Sequence, residues 1–215
     1  MNELKITDVK AREVYNGLYI PTLEVTIEVG NEKGTSVAPM GQSIGSDEAV
    51  ELRDGGERFG GVGCLKAVEK IETELKELLI GMDVTQQRKI DHAMCELDGT
   101  PNKSRLGANA LVAVSAAATV AAANTLHMPI YRYVNGNARI IPVPMMDYVS
   151  GGHYSYGASS EIQEFSFLPI GADSLVEAME LSRKLYFTLL DMVTEKFGSL
   201  AQSVNTSGGF SYYNN

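Results

Sequence analysis

From residue 22 the chain alternates. Thr22, Glu24, Thr26 and Glu28 fall between Leu23, Val25, Ile27 and Val29, a period of two that predicts a half-buried strand. GNEKG (30–34) predicts a turn and TSVAP (35–39) a returning strand, and LKITDVKAREV (4–14) supplies a third. The N-terminal region therefore reads as a three-stranded antiparallel meander. The period then becomes helical. In LKAVEKIETELKELL (65–79), Leu65, Val68, Ile71, Leu75, Leu78 and Leu79 share one helical face. Asp83 is a candidate cap for a second helix carrying Val84, Ile90, Met94 and Leu97. DGTPNKS (98–104) has turn chemistry, and an alanine-rich third helix ends near Leu126, ahead of Pro129.

The second half opens with an apolar run over 140–146 with prolines at 142 and 144, then a second run, EFSFLPI (164–170). An amphipathic segment from Asp173 to Phe197 stops at Gly198, and LAQSV (200–204) is the last strand candidate. The order is β-β-β-α-α-α, then β-β-α-β. The fold class is α+β, with the start of an α/β array behind a complete first region. There is no internal repeat.

Composition narrows the function. With 215 residues, 44% hydrophobic and 21% charged, the chain is long enough for one large domain or two small ones. The net charge of −9 and the absence of a basic run exclude nucleic acid as the expected partner. Cys64 and Cys95 stand in no metal or redox spacing and read as reduced thiols of a cytoplasmic protein. MNELKITDVK lacks the apolar core of a signal peptide. The run at 108–126 has the length of a membrane span, but it is mostly alanine with Ser115, Thr119 and Asn124 inside, so a buried, closely packed helix is expected and no membrane.

Several stretches, in order, carry a resemblance: ITDVKAREV, EAVELRDG, LIGMD, ELDGTPNKSRLGANALVAVSAA, PIYRYVNGN, PVPMM and IQEF. Together they resemble the enolases, which dehydrate 2-phosphoglycerate to phosphoenolpyruvate. The match runs from Ile6 to about Phe210, and LDGTPNKSRLGANA is its most specific part. The resemblance implies an N-terminal cap domain over residues 1–138. It also implies a partial β/α barrel over 139–215: two antiparallel strands, a helical segment and a third strand. A complete barrel needs roughly 250 residues.

The family's reaction uses a lysine base and two magnesium ions. The resemblance places that lysine, its partner lysine and the acidic ligands of the tight magnesium in later strands, which this sequence does not contain. What it does contain is altered. The family's GDEGGF corresponds to NTSGGF, so Thr206 and Ser207 stand for two acids, and a serine hydroxyl is no acid near neutral pH. PSGASTG corresponds to PMGQSIG. Gly41 and Ser43 remain, but Met40 replaces a serine that would hold the second magnesium, which prefers hard oxygen donors. NGGxHAxN corresponds to SGGHYSYG, with His153 one place early. Gln163 and Glu164 match the family's pair. Leu18 stands where the family has an arginine at its dimer contact.

Each candidate has a plainer reading. Glu164 is either a retained catalytic carboxylate or a buried, hydrogen-bonded remnant at a strand end, and His153 is either catalytic or an ordinary loop histidine. His92 and His127 read as structural or solvated. Tyr154, Tyr156, Tyr212 and Tyr213 flank the altered loops and suit an interface or an exposed tyrosine-rich surface. The expectation is an enolase-like protein without catalytic activity alone, acting in binding or assembly. The alternatives are a subunit of a split enzyme and a fragment of a longer enolase. No metal and no cofactor are expected for the chain alone, with magnesium only if a partner completes it. The expected partners are a second copy, a full-length enolase or a complementing barrel chain.

Overall fold

The computed structural model describes residues 4–41, 44–152, 161–205 and 207–211, and the chain divides into two units, Met1–Ala138 and Arg139–Asn215. In the first unit β1 (Asp8–Tyr15), β2 (Pro21–Val29) and β3 (Glu32–Val37) form an antiparallel sheet in that order. Leu23, Val25, Ile27 and Val29 point inward and are buried. The open face is laced by cross-strand pairs: Arg12 with Glu24 at 2.6 Å, Lys10 with Glu28 at 2.6 Å, and the hydroxyls of Thr26 and Thr35 at 2.9 Å. β3 starts earlier than TSVAP suggests, because Val29 pairs with Glu32 across a two-residue turn.

Five helices follow, and three of them are consecutive: α1 (Leu65–Lys70), α2 (Lys76–Leu79) and α3 (Gln87–Asp98), with a π-helical turn, Ile71–Leu75, joining the first two. Ala67, Ile71, Leu75 and Leu79 are fully buried at a strict spacing of four. An α-helix rotates about 40° past a full turn every four residues, so such a series would drift off the core. The wider π turn absorbs the drift. Leu65, expected on this face, is 49% exposed at the helix start. Asp83 is not the cap of α3. Its Oδ1 accepts from the backbone N–H and hydroxyl of Thr85, closing a local turn, and the helix begins four residues later.

The alanine-rich segment is α4 (Ala108–Thr125), followed by the short α5 (Ile130–Val134). α4 is long and apolar enough to cross a membrane, but here Ala110, Ala113, Val114, Ala117, Ala118, Ala121 and Ala122 are buried in the core under the sheet. It lies so close to β3 that a Cβ on Gly34 would fall 2.0 Å from the backbone nitrogen of Ala121 and 2.5 Å from the carbonyl oxygen of Ala117.

Between α3 and α4, Asp98 works as a clamp. It is buried, its Oδ1 accepts from Thr100 N–H at 3.0 Å and from the Thr100 hydroxyl, and its Oδ2 accepts from Leu106 N–H at 2.8 Å. Arg105 reaches back to donate to the carbonyls of Asp98 and Leu97 and to pair with Glu74. The most family-specific stretch of the sequence is thus the corner that joins two core helices.

The second unit has β4 (Met146–Ser150) and β5 (Glu164–Phe167), paired antiparallel, and a long helix α6 (Leu175–Phe197). Most of the run at 140–146 lies outside β4, with Ile140 and Ile141 exposed. α6 starts at a capped end: Ser174 Oγ accepts from Glu177 N–H, and the Glu177 carboxylate accepts from the N–H of Asp173, one residue ahead of the cap. Tyr148 donates its hydroxyl to the Ser182 carbonyl at 2.7 Å, and the Tyr186 ring lies 4.8 Å from that of buried Phe210.

The expected third strand is not formed over 200–204. Ser199–Gln202 is a 3-10 turn, and the pairing beyond it is reduced to isolated bridges, Val204 with Phe210 and Val149 with Phe210. Phe210 makes the parallel contact to β4 by itself, donating its N–H to Tyr148 O and accepting from Ser150 N–H. A strand needs a ladder on at least one side, and the tight turn at 205–209 folds the chain back before one can extend.

Gly34→Ala is expected to destabilise the first unit by about 3 kcal/mol, the upper part of the range for overpacking, because backbone rather than a flexible side chain blocks the added methyl; urea unfolding measures it. The Asp98 carboxyl is held below the usual range: burial pushes it up, but the hydrogen bonds from Thr100 and Leu106 prevail. A lowered folded-state pKa gives stability that is present above the unfolded value of about 3.9 and lost as pH falls through the folded value. The stability difference between wild type and Asp98→Asn should therefore be largest near neutral pH and shrink progressively below about pH 4.

Candidate functional site

In the second unit the site candidates lie on one face of the β4–β5 pair. Antiparallel partners share a face, so Asp147 sits with Ser166 and Ser150 with Glu164. Asp147 and Ser150 are three apart and would point to opposite faces of a regular strand. A bulge between Asp147 and Val149 shifts the register and brings both to the same side. The Ser150 hydroxyl then donates to Asp147 Oδ2 at 2.5 Å. Asp147 Oδ1 is buried and has no hydrogen-bond partner among the described residues. On β5 the Ser166 hydroxyl donates to Glu164 Oε1.

Glu164 is exposed, which removes its reading as a buried remnant. Gln163 precedes it at the strand end, also exposed, and its carbonyl accepts from Gly151 N–H at 2.9 Å. The face is closed on one side by Gly209. A Cβ there would lie 2.4 Å from Ser150 Oγ and 2.6 Å from Asp147 Oδ1, so only glycine lets this backbone reach β4.

The turn that carries Gly209 is held by an uncharged group. Asn205 Oδ1 accepts from the N–H groups of Ser207 and Gly209, at 2.9 and 3.1 Å, and Asn205 N–H donates to the Gly209 carbonyl. Ser207 itself is exposed. Thr206 and His153 lie outside the described residues, as do Tyr154, Tyr156, Tyr212 and Tyr213.

In the first unit, Met40 and Gly41 border a 530 Å³ pocket with Ile44, Val50, Val62 and Val112 among its walls and Glu48, Glu51 and Arg53 at its polar edge. The Met40 thioether accepts a weak hydrogen bond from the Asn16 amide at 3.8 Å. Asn16 also organises the turn that holds Leu18, its Oδ1 accepting from the N–H groups of Leu18 and Ile20. Ser43 lies outside the described residues. Arg53 is engaged: it pairs with Glu51 and donates to the carbonyls of Pro21 and Val62 and to the buried Cys64 sulfur. Burial pushes the Cys64 thiol pKa up, with Arg53 opposing.

The resemblance implies magnesium, and the donors among the described residues do not fit it. Among the described residues no three His, Cys, Asp or Glu side chains converge. A magnesium site needs hard oxygens in near-octahedral array, and Met40 offers sulfur. What the second unit does present is a pair of carboxylates, Asp147 and Glu164, on one sheet face with two serine hydroxyls. Asp147, Ser150 and Asn205 are not among the candidates legible in the sequence. The signal for Asp147 was an acid within the apolar run that follows PVPMM; the bulge that aims it leaves no mark in the hydropathy pattern.

Comparison with known proteins agrees with this architecture. The profile of the enolase N-terminal domain matches residues 6–134, and that of the enolase C-terminal TIM barrel domain matches residues 138–213. The chain belongs to the enolase family. It is 45% identical to the enolase of Methanococcus aeolicus over 210 residues, 46% identical to that of Methanocaldococcus jannaschii over 208 residues, and 45% identical to that of Thermococcus kodakarensis over 210 residues. These alignments cover 96–97% of this chain and 49% of each relative. The chain spans about half the length of the curated relatives it matches.

Gly209→Ala is expected to separate the 205–210 turn from β4. Hydrogen exchange should show at least about tenfold faster exchange at the amides of Phe210 and Ser150, which make the parallel bridge, with no change in the first unit.

Proposed function

We propose that this enolase-family chain does not convert 2-phosphoglycerate to phosphoenolpyruvate by itself and acts in the cytoplasm as a binding or assembly protein. The observation that carries this reading is the 205–209 turn. Where the family resemblance places two acids, the turn is held by the neutral Asn205 amide and presents Ser207 to solvent. A serine cannot donate a proton to a leaving hydroxide near neutral pH. Met40, at the position of the serine that would hold the second magnesium, points the same way, since its sulfur is a poor ligand for that ion. Members of one catalytic set act as a unit, so the loss of one such group already costs nearly as much as the loss of all of them.

A second reading is favoured by one specific observation. The match covers 49% of each relative, which suits a portion of a longer enolase or one subunit of a split one. In either case the separate chain is expected to be inactive.

The purified chain, produced in a host freed of its own enolase and assayed with magnesium and 2-phosphoglycerate, is expected to form no phosphoenolpyruvate above background. Turnover that scales with chain concentration and disappears in Glu164→Gln would overturn the reading.

A further inference from the structure

The sequence contains two Asn–Gly pairs, Asn16–Gly17 and Asn135–Gly136. In such a pair the backbone nitrogen of the glycine can attack the carbonyl carbon of the asparagine side chain, because no Cβ stands in its way. The fold sets the two pairs apart. Asn16 is half-buried in the turn between β1 and β2. Its Oδ1 accepts from the N–H groups of Leu18 and Ile20 at 2.8 and 3.0 Å, and its amide nitrogen donates weakly to Met40 Sδ. Its backbone N–H donates to the Ile20 carbonyl and its carbonyl accepts from Tyr19 N–H, directly beside the paired residues Tyr15 and Pro21. Side chain and backbone are held together at Asn16, and ring closure there has to break that set.

Asn135 follows the five-residue α5 and is exposed, as are Val134, Gly136 and Asn137 around it. Its Oδ1 accepts one hydrogen bond, from Asn137 N–H at 3.1 Å. Among the described residues its amide nitrogen and the Gly136 N–H have no partner. Beyond it the backbone is fastened by a single turn bond, from Ala138 N–H to the Asn135 carbonyl at 2.8 Å, and enters no strand before β4. A donor on Oδ1 also favours the negative charge that builds there during attack, and both asparagines have one. The anchoring of the rest of the residue is what differs.

We propose that Asn135 is a site of spontaneous covalent modification, deamidation through a succinimide, and that the fold protects the matching pair at Asn16. The Gly136 nitrogen gives up its proton to solvent and bonds to Asn135 Cγ. The Cγ–Nδ2 bond breaks, and that nitrogen takes up a proton and leaves as ammonia. Water then opens the ring. Cleavage between the Gly136 nitrogen and Cγ gives aspartate, and cleavage at the former backbone carbonyl gives isoaspartate. One water is consumed and one ammonia released, with no oxidation or reduction. Either product adds a negative charge to a chain already at −9. In the isoaspartyl form the carbonyl that accepts from Ala138 N–H becomes a carboxylate outside the main chain, so the turn over 135–138 is remade with an additional backbone atom. That carboxylate is the group an isoaspartyl methyltransferase esterifies.

The test incubates the full chain, folded and urea-unfolded, in mildly alkaline water enriched in heavy oxygen, which marks carboxylates formed during the incubation. Tryptic mass spectrometry then reads the two pairs on separate peptides, Glu13–Lys33 and Tyr133–Arg139. In the folded chain the label should enter at Asn135 at least about tenfold faster than at Asn16, the margin given by the additional hydrogen bonds that hold Asn16. In urea the two rates should converge. Gly136→Ala should remove most of the label at Asn135. A Cβ on Gly136 meets nothing within 4 Å and its φ lies outside the left-handed region, so this variant keeps the fold. Methyl transfer from labelled S-adenosylmethionine by an isoaspartyl methyltransferase should rise with the Asn135 signal and be lost in Gly136→Ala. Equal rates at the two asparagines in the folded chain, no label at Asn135, or undiminished label in Gly136→Ala would each overturn the proposal.

Discussion

The first unit depends on one close approach. At Gly34 the backbone of β3 meets the backbone of α4 with no side chain between them, and Ala117, Ala118, Ala121 and Ala122 keep the helix surface low along the contact. Once α4 is seated there, the other parts are fixed from it. Asn109 at its start bonds both backbone groups of Leu52 and holds the segment that leads into Arg53. Gln87 of α3 exchanges hydrogen bonds with Ser115 and Thr119. Asn124 near its end donates to the Lys33 carbonyl. A weakly apolar, alanine-rich helix becomes the centre of a core because small side chains trade buried area for proximity.

The second unit is organised differently. Its small core is aromatic, Tyr148, Tyr186 and Phe210 around α6, and among the described residues its sheet has two strands. The bulge in β4 lets Tyr148 serve that core while Asp147 and Ser150 face the other way together. The same irregularity therefore supports the packing and creates the polar face. The first unit buries most of what its sequence makes apolar, whereas the second leaves one side of α6 and the outer part of β5 in solvent.

How much of this the sequence disclosed follows from the physics of each element. β2 was legible because one face is buried and the other wet, and strict alternation records that. The corner at Asp98 was legible as a turn and as a family signature, but not as a clamp, since a carboxylate's partners depend on where Thr100 and Leu106 come to rest. Leu65 was misplaced because helical projection assumes 3.6 residues per turn throughout, and the π turn breaks that assumption. LAQSV was misread because a short apolar stretch has the same composition in a strand and in a 3-10 turn, and only a pairing partner distinguishes them. Asp147 went unseen for the related reason that a bulge changes which face a residue occupies. Glu164 was placed correctly at a strand end, but its exposure depends on neighbours that hydropathy does not report.

The π turn at Ile71–Leu75 has a bearing on how this helix tolerates change in length. A π turn is an α-helical turn with one residue too many. Deleting a single residue within 72–74 would bring the buried positions to spacings of four, three and four, the seam of an ordinary straight α-helix, and would leave Ala67 and Leu79 facing the core they face now. A deletion inside Leu65–Lys70 or Lys76–Leu79 has no such slack and would turn a buried side chain about 100° toward water. The helix thus has one place where its length is negotiable, and it lies in the middle rather than at either end.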